Sequence, residues 1–318
     1  MPFTKCDVCV EYRDQTAETS DKSEKRRLRG EYAKHLYEIK RERMVYYRNR
    51  LRAQLDRKNY LSMIIDGADQ SDHGIPHFAQ RSHLTEASHK LRVKLMGVIA
   101  HGRGVWCFTC PPHIAQGNNV TIQALWDVCV AIKKKEGSLP RVLNLQLDNT
   151  AKQCKGLKYI HIYIIIHFGH HVWLAAGRYV LGFCALLVHM NVFEKVIIGF
   201  LPVGHTHEDI DQLFSRIAVY LATHDARSLE ELAVCIQQSY RKCGHVPNVI
   251  HWQAVANISD WLKPYMKDFE GYRVGRLCLQ NTHTCFCQVI AATGTSNSRG
   301  LVATGGWLCW YGHQPTSA

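Results

Sequence analysis

The 318-residue chain contains no Gly-Lys-Ser/Thr phosphate loop and no Gly-x-Ser-x-Gly elbow. The first absence removes the backbone cradle used by nucleotide hydrolases, and the second removes the strained serine turn of esterases. Met1 to Cys9 has no apolar core region, so no secretory signal peptide is expected. Acidic residues are in short supply: 27 Asp and Glu stand against 39 Lys and Arg, a formal charge of +12. That excess points to an acidic partner, most simply nucleic acid. Cysteines number 13 and sit in apolar stretches such as Phe183-Cys184-Ala185. An odd, scattered set argues against a disulfide framework and for buried free thiols in the nucleus or cytoplasm. With 46% hydrophobic residues, the chain can build a sizeable core.

The positive charge is concentrated. Lys22 to Lys58 holds 14 Lys or Arg and 5 Asp or Glu, so this one segment carries most of the net charge. Residues 18–59 contain no proline and a single glycine, Gly30, which predicts one long helix. Leu28, Tyr32, His35, Ile39, Tyr46 and Arg50 recur at three- and four-residue steps, a narrow stripe on an otherwise cationic rod. Lys25, Arg26, Arg27, Arg29, Lys40, Arg41, Arg43, Arg48, Arg50 and Arg52 are the candidate phosphate contacts. The plainer reading is a solvated helix packed along one side, and charge alone does not choose between the two.

Beyond this helix the order of elements is informative. Leu61–Asp66, Leu91–Ala100 and Gly104–Cys110 read as strands, the last two joined by the turn-like His101-Gly102-Arg103. Thr121–Lys135 has helical spacing and ends in lysines before Gly137. Arg141–Asp148 reads as a strand, Arg178–Met190 as an apolar helix, Lys195–Leu201 as a strand, and Thr206–Thr223 and Leu229–Lys242 as helices. The sum is β-β-β-α-β-α-β-α. Three antiparallel strands followed by alternating helices and parallel strands is the order of a ribonuclease-H-like α/β fold, a mixed sheet flanked by helices. The expected organisation is a Cys pair and basic helical arm over 1–59, this core over 60–225, a helical extension over 226–270 and an irregular tail over 271–318.

Two-metal phosphodiester cleavage or strand transfer needs convergent carboxylates around Mg²⁺ or Mn²⁺. In such a core they come from the first strand, the end of the fourth and a helix after the fifth. Asp66 closes Leu61-Ser62-Met63-Ile64-Ile65-Asp66-Gly67, and Asp148 closes Leu145-Gln146-Leu147-Asp148-Asn149. The third slot falls in Gly204-His205-Thr206-His207-Glu208-Asp209-Ile210-Asp211. With the apolar face centred on Ile210, Asp209 and Asp211 flank it while Glu208 points toward solvent. His205 and His207 could orient a phosphate or a water, or be polar residues of a helix start. Each acid also has an ordinary role open to it, as a turn, a cap or a partner of the helix dipole.

The run from Gly199 to Gln212, together with Asp66-Gly67-Ala68-Asp69-Gln70 and Asp148-Asn149, resembles the signature of an uncharacterised family of transposon-derived proteins. The resemblance spans roughly residues 1–270. It implies a transposase- or integrase-like core acting on DNA and favours Asp211 as the third acid. A retired, catalytically inactive DNA-binding derivative is the alternative. The family pattern continues from Asp-Asn into a Lys-Asn pair, whereas here Lys155 is followed by Gly156.

Gly156–Gly177 contains an Ile-rich β-branched run, four histidines and no formal charge from Tyr159 to Gly177. The histidines and the lack of a matching second span argue against a membrane helix, and the segment reads as an insertion peripheral to the sheet. Cys6-x-x-Cys9 supplies half of a zinc site, with His35 a candidate third ligand. Cys107-x-x-Cys110 reads as a buried core pair, and Cys285-x-Cys287 with His283 is a weaker metal motif. DNA is the expected partner, with homo-oligomerisation left open.

Overall fold

The computed structural model describes residues 6–68, 73–80, 89–147, 178–200, 209–241, 244, 246–265, 286–290, 301–304 and 307–310. The basic segment folds as α2 (Lys22–Leu55), preceded by α1 (Asp7–Glu18). Asp21 caps α2 by accepting the Ser23 N–H, as a cap acid should. Leu28, Ile39, Tyr46 and Ala53 are the buried residues of α2, so the stripe read from the sequence is the face it buries. Tyr46 belongs to a core cluster with Ile64, Ile99 and Val105. The carboxyl-terminal half of the helix is therefore seated on the body of the protein instead of projecting as a detached arm.

The sheet is built from β1 (Tyr60–Gly67), β4 (Lys94–Ala100), β5 (Gly104–Cys110), β6 (Val142–Leu147), β7 (Lys195–Phe200) and β8 (Asn248–His251). A small ladder, β2 (Gly74–Ile75) with β3 (Leu91–Arg92), stands apart from it. The six strands run in the order β7-β6-β1-β4-β5-β8. β1 pairs antiparallel with β4, and β4 with β5; β6 lies between β1 and β7 and runs parallel to both. Parallel neighbours need crossover connections, and helices supply them. The stretch from 271 onward, expected to be irregular, contains β9 (Phe286–Ile290), β10 (Leu301–Thr304) and β11 (Trp307–Trp310). They extend the sheet past β7, with β9 pairing antiparallel to it. An unpaired edge strand offers its backbone groups to any nearby chain, a tertiary opportunity that periodicity does not reveal.

Helices cover both faces. α3 (Asn118–Glu136) and α4 (Arg178–His189) pack with Met63, Ile65, Leu143, Leu145 and Ile198 on one side. α5 (Asp209–Leu221) and α6 (Leu229–Tyr240) pack with Ile64, Leu95, Ile99 and Cys107 on the other. α3 ends as its sequence predicts: Gly137 takes the left-handed conformation (φ 81°) and its N–H returns to the Lys133 carbonyl, which glycine does at least cost. Trp126, on the apolar stripe of α3, is 44% exposed and meets the Phe183 ring in a T-shaped contact. A short helix, α7 (Ile258–Leu262), closes the first side through Leu262. Among the described residues, no helix is long and apolar enough to cross a membrane. The segment 156–177 lies outside the described residues.

Candidate functional site

β1 is the central strand of the candidate site. Alternation sends Leu61, Met63 and Ile65 to the α3–α4 side and Ser62, Ile64 and Asp66 to the α5 side. The α5 side is unusually polar around this strand. Ser62 pairs with Asn144 and Ile64 with Gln146 across the parallel ladder, and Ser62, Asn144 and Gln146 are all buried. Asp66 is half-buried at the carboxyl end of the strand, and one of its oxygens accepts the Gly67 N–H at 2.7 Å. Leu147, the last residue of β6, pairs with Ile65; Asp148 follows it and lies outside the described residues, as do Glu208, His205 and Asp69.

The helix α5 reaches this strand pair through a glycine. Asp66 sits opposite Gly97 in the antiparallel ladder. A β-carbon on Gly97 would lie 2.9 Å from Ile210 Cδ1 and 3.0 Å from two ring carbons of Phe214. Gly97 therefore lets the first turn of α5 lie against the strand next to Asp66. An isolated glycine inside a strand pattern is a sequence signal for such an approach. Asn144 and Gln146, alternating with leucines, were a second legible signal of a polar sheet face.

The two acids of that first turn separate. Asp209 is held by α2 and by the β4–β5 turn: Arg50 Nη1 donates at 3.0 and 2.7 Å to its two oxygens, and His101 Nε2 lies 3.3 Å away. The same Nε2 is 3.0 Å from the Tyr46 hydroxyl, while Nδ1 is 3.0 Å from Ser62 Oγ. Burial pushes the Asp209 carboxyl up, but the His101 hydrogen bond and the Arg50 charge outweigh it, and the group titrates below the ordinary carboxylate range. Ser62, His101 and Asp209 have the composition of a nucleophilic triad. With Ser62 and His101 only 2% and 3% exposed, the arrangement works as a brace between α2, β1 and α5. Nothing in the hairpin-like sequence around His101 announces this role. Asp211 lies about 200° around the helix from Asp209, on the opposite flank of Ile210 and half-buried.

The basic residues of α2 divide as well. Arg26, Arg29, Lys40, Arg48 and Arg52 are exposed, Lys25, Arg41 and Arg43 half-buried. Arg27 is paired with Glu24 and Glu31 at 2.6 Å each, and Arg50 is committed to Asp209. Glu42 lies on the buried side of the helix between Ile39 and Tyr46. Burial and the neighbouring Glu38 raise its carboxyl to about 8, against the opposing charge of Arg41.

A second cluster assembles at the start of the chain. Cys6 Sγ is 3.5 Å from His35 Nε2, and one ligand atom from each of Cys6, Cys9 and His35 lies within 4.8 Å of the others. Cys107 and Cys110 are buried in β5, as expected of a core pair, and burial pushes the Cys107 thiol up to about 12.

No curated protein and no solved structure matches the chain. A family profile described as Domain of unknown function (DUF7869) matches residues 83–168 and 176–284. The matched residues include Asp148, Asp209 and Asp211 but neither Asp66 nor the Cys6–Cys9–His35 cluster, and the break between its two parts falls inside the segment 156–177. Since the match takes in more than half of its residues, the chain belongs to the DUF7869 family.

Proposed function

We propose that the chain is a transposase- or integrase-type protein with a ribonuclease-H-like core that acts on DNA phosphodiesters with divalent metal ions. The observation that carries this reading is the strand order β5-β4-β1-β6-β7, with β1 antiparallel to β4 and parallel to β6, and an acid, Asp66, at the carboxyl end of its central strand. Open α/β sheets bind ligands at the carboxyl ends of parallel strands. Asp66 and Asp211, with Asp148 next after β6 in sequence, would supply the hard-oxygen donors that suit Mg²⁺ or Mn²⁺. Bound there, two such ions would polarise the phosphodiester and neutralise charge developing on its oxygens. The chain's own residues set the geometry. Gly97 admits Ile210 beside Asp66, and the Arg50–His101 brace turns Asp209 toward the Ser62 end of β1, leaving Asp211 on the other flank. The exposed Arg26, Arg29, Lys40, Arg48 and Arg52 supply phosphate contacts.

The test is a plasmid nicking and strand-transfer assay with Mg²⁺ or Mn²⁺, read beside duplex binding at several salt concentrations. Asp66→Asn and Asp211→Asn should each abolish cleavage while leaving thermal unfolding and binding unchanged. Neutralising Arg26, Arg29 and Arg48 together should weaken binding and flatten the salt slope by about 2–3 in log–log units, one per lost phosphate contact. Salt-dependent binding without metal-dependent cleavage supports the inactive DNA-binding derivative. Absence of both activities refutes the proposal.

A further inference from the structure

We propose that Cys6, Cys9 and His35 bind one zinc-class divalent cation that clamps α1 onto α2. The inference is independent of the carboxylate site. Cys6 is the N-cap of α1 and Cys9 lies in its first turn, and the two thiols stand together at that end of the helix. His35 comes from the buried stripe of α2 to meet them. The second Cys-x-x-Cys of the chain shows why spacing alone does not suffice. On strand β5 the same interval sends Cys107 into one core cluster and Cys110 into the other, on opposite faces of the sheet.

The distances suit the ion. Zn–S and Zn–N bonds at tetrahedral angles imply S···N separations of about 3.5 Å and S···S separations of about 3.8 Å. Cys6 Sγ and His35 Nε2 already stand at 3.5 Å, and all three donors lie within 4.8 Å of one another. Two thiolates and an imidazole prefer zinc to magnesium. On binding, each thiol gives up its proton to solvent and the two resulting thiolates take the charge of the cation. Three protein ligands leave one tetrahedral position for a water or for a ligand from outside the described residues.

Two further observations ask for such a clamp. Cys6 occupies the N-cap of α1 with an extended backbone (φ −63°, ψ 121°) and makes no side-chain cap bond, where Ser, Thr, Asp or Asn would ordinarily serve. α1 itself buries none of its 12 residues; a helix of that length is marginal without packing. The tilted Tyr12–Tyr32 contact, centroids 6.1 Å apart, supplements the clamp but offers little burial. A bound ion gives the amino-terminal end of the basic helix a fixed partner.

The test uses the full chain, purified under reducing conditions without chelator. Elemental analysis should find one zinc per chain, and cobalt substitution should give a thiolate-to-cobalt charge-transfer band. Cys6→Ser, Cys9→Ser and His35→Ala should each lower zinc affinity by more than the roughly 100-fold typical of losing an outer-shell partner. His35→Cys should retain the metal with a stronger charge-transfer band, and Cys235→Ala should leave stoichiometry unchanged. Chelation should speed amide exchange across residues 7–18 and leave the sheet protected. The proposal is overturned if the reduced chain binds no zinc, if Cys6→Ser and Cys9→Ser both retain it, or if exchange over 7–18 ignores the metal. A Cys6–Cys9 disulfide in the freshly isolated chain, seen as a mass lower by two hydrogen atoms, overturns it too.

Discussion

Replacing Asp209 by Asn keeps the side chain's size and removes its charge. In the native protein the carboxylate accepts from Arg50 at 3.0 and 2.7 Å and meets His101 at 3.3 Å. A hydrogen bond to a charged group contributes about 1.5–3 kcal/mol when both partners are sheltered. The His101 side chain is 2% exposed and keeps that value; Arg50 is 39% exposed, so solvent screening brings its share to about 1 kcal/mol or less. The expected loss is therefore about 2–3 kcal/mol at neutral pH, or a melting temperature lower by roughly 4–12 °C. The pH dependence has a definite sign. A carboxyl held below its unfolded value contributes stability that is fully present above the unfolded pKa of about 3.9 and is lost as pH falls through the lower folded value. The gap between native protein and Asp209→Asn should thus be constant from pH 7 to about 5 and close at more acid pH. Urea unfolding followed by tryptophan fluorescence across that range measures it. Arg50→Ala should cost less, about 1 kcal/mol, and the double variant less than the sum of the two, because the residues share one interaction. A variant within about 0.5 kcal/mol of the native protein at neutral pH would refute the brace.

Two other substitutions probe how the helices seat. Gly97→Ala inserts a methyl group 2.9 Å from Ile210 Cδ1, well inside the ordinary 3.5–4.0 Å carbon contact; the expected cost is about 1–3 kcal/mol, read as a lowered melting temperature, and an unchanged or raised one would mean that α5 does not rest on β4. Glu42→Gln should stabilise: with its carboxyl raised to about 8, Glu42 stays protonated in the folded chain while the unfolded chain ionises, so stability is lost as pH rises from about 4.3 toward 8. The variant's advantage should grow through that window by at most about 1.4 kcal/mol per pH unit, less what solvent access to the half-buried carboxyl screens, and a gain independent of pH would reject buried ionisation as the cause.

Most of the elements and their order are legible from residue spacing alone, because these are local properties. The three- and four-residue spacing of Leu28, Tyr32, His35 and Ile39 marked the packed side of α2, the apolar run ending at Asp66 marked a strand, and Lys133–Gly137 marked a helix end. Cys6-x-x-Cys9 was legible as half of a metal site, but the helix over Asp7–Glu18 that positions Cys9 was not. Tertiary structure decided what those faces meet. That Asp209 is bound to Arg50 and His101, and so parts company with Asp211, depends on α2 crossing β1 beside the β4–β5 turn, 159 residues away in sequence from Asp209 to Arg50. That Gly97 admits Ile210 beside Asp66 depends on strand pairing and helix docking together. The strands at 286–310 found an edge at β7 that no periodicity of their own could announce. Local spacing fixes which side of an element is apolar. Which polar groups share that buried side, and hence which acid of α5 braces the fold, is set by contacts between residues far apart in the chain, whose charges interact only once folding brings them together.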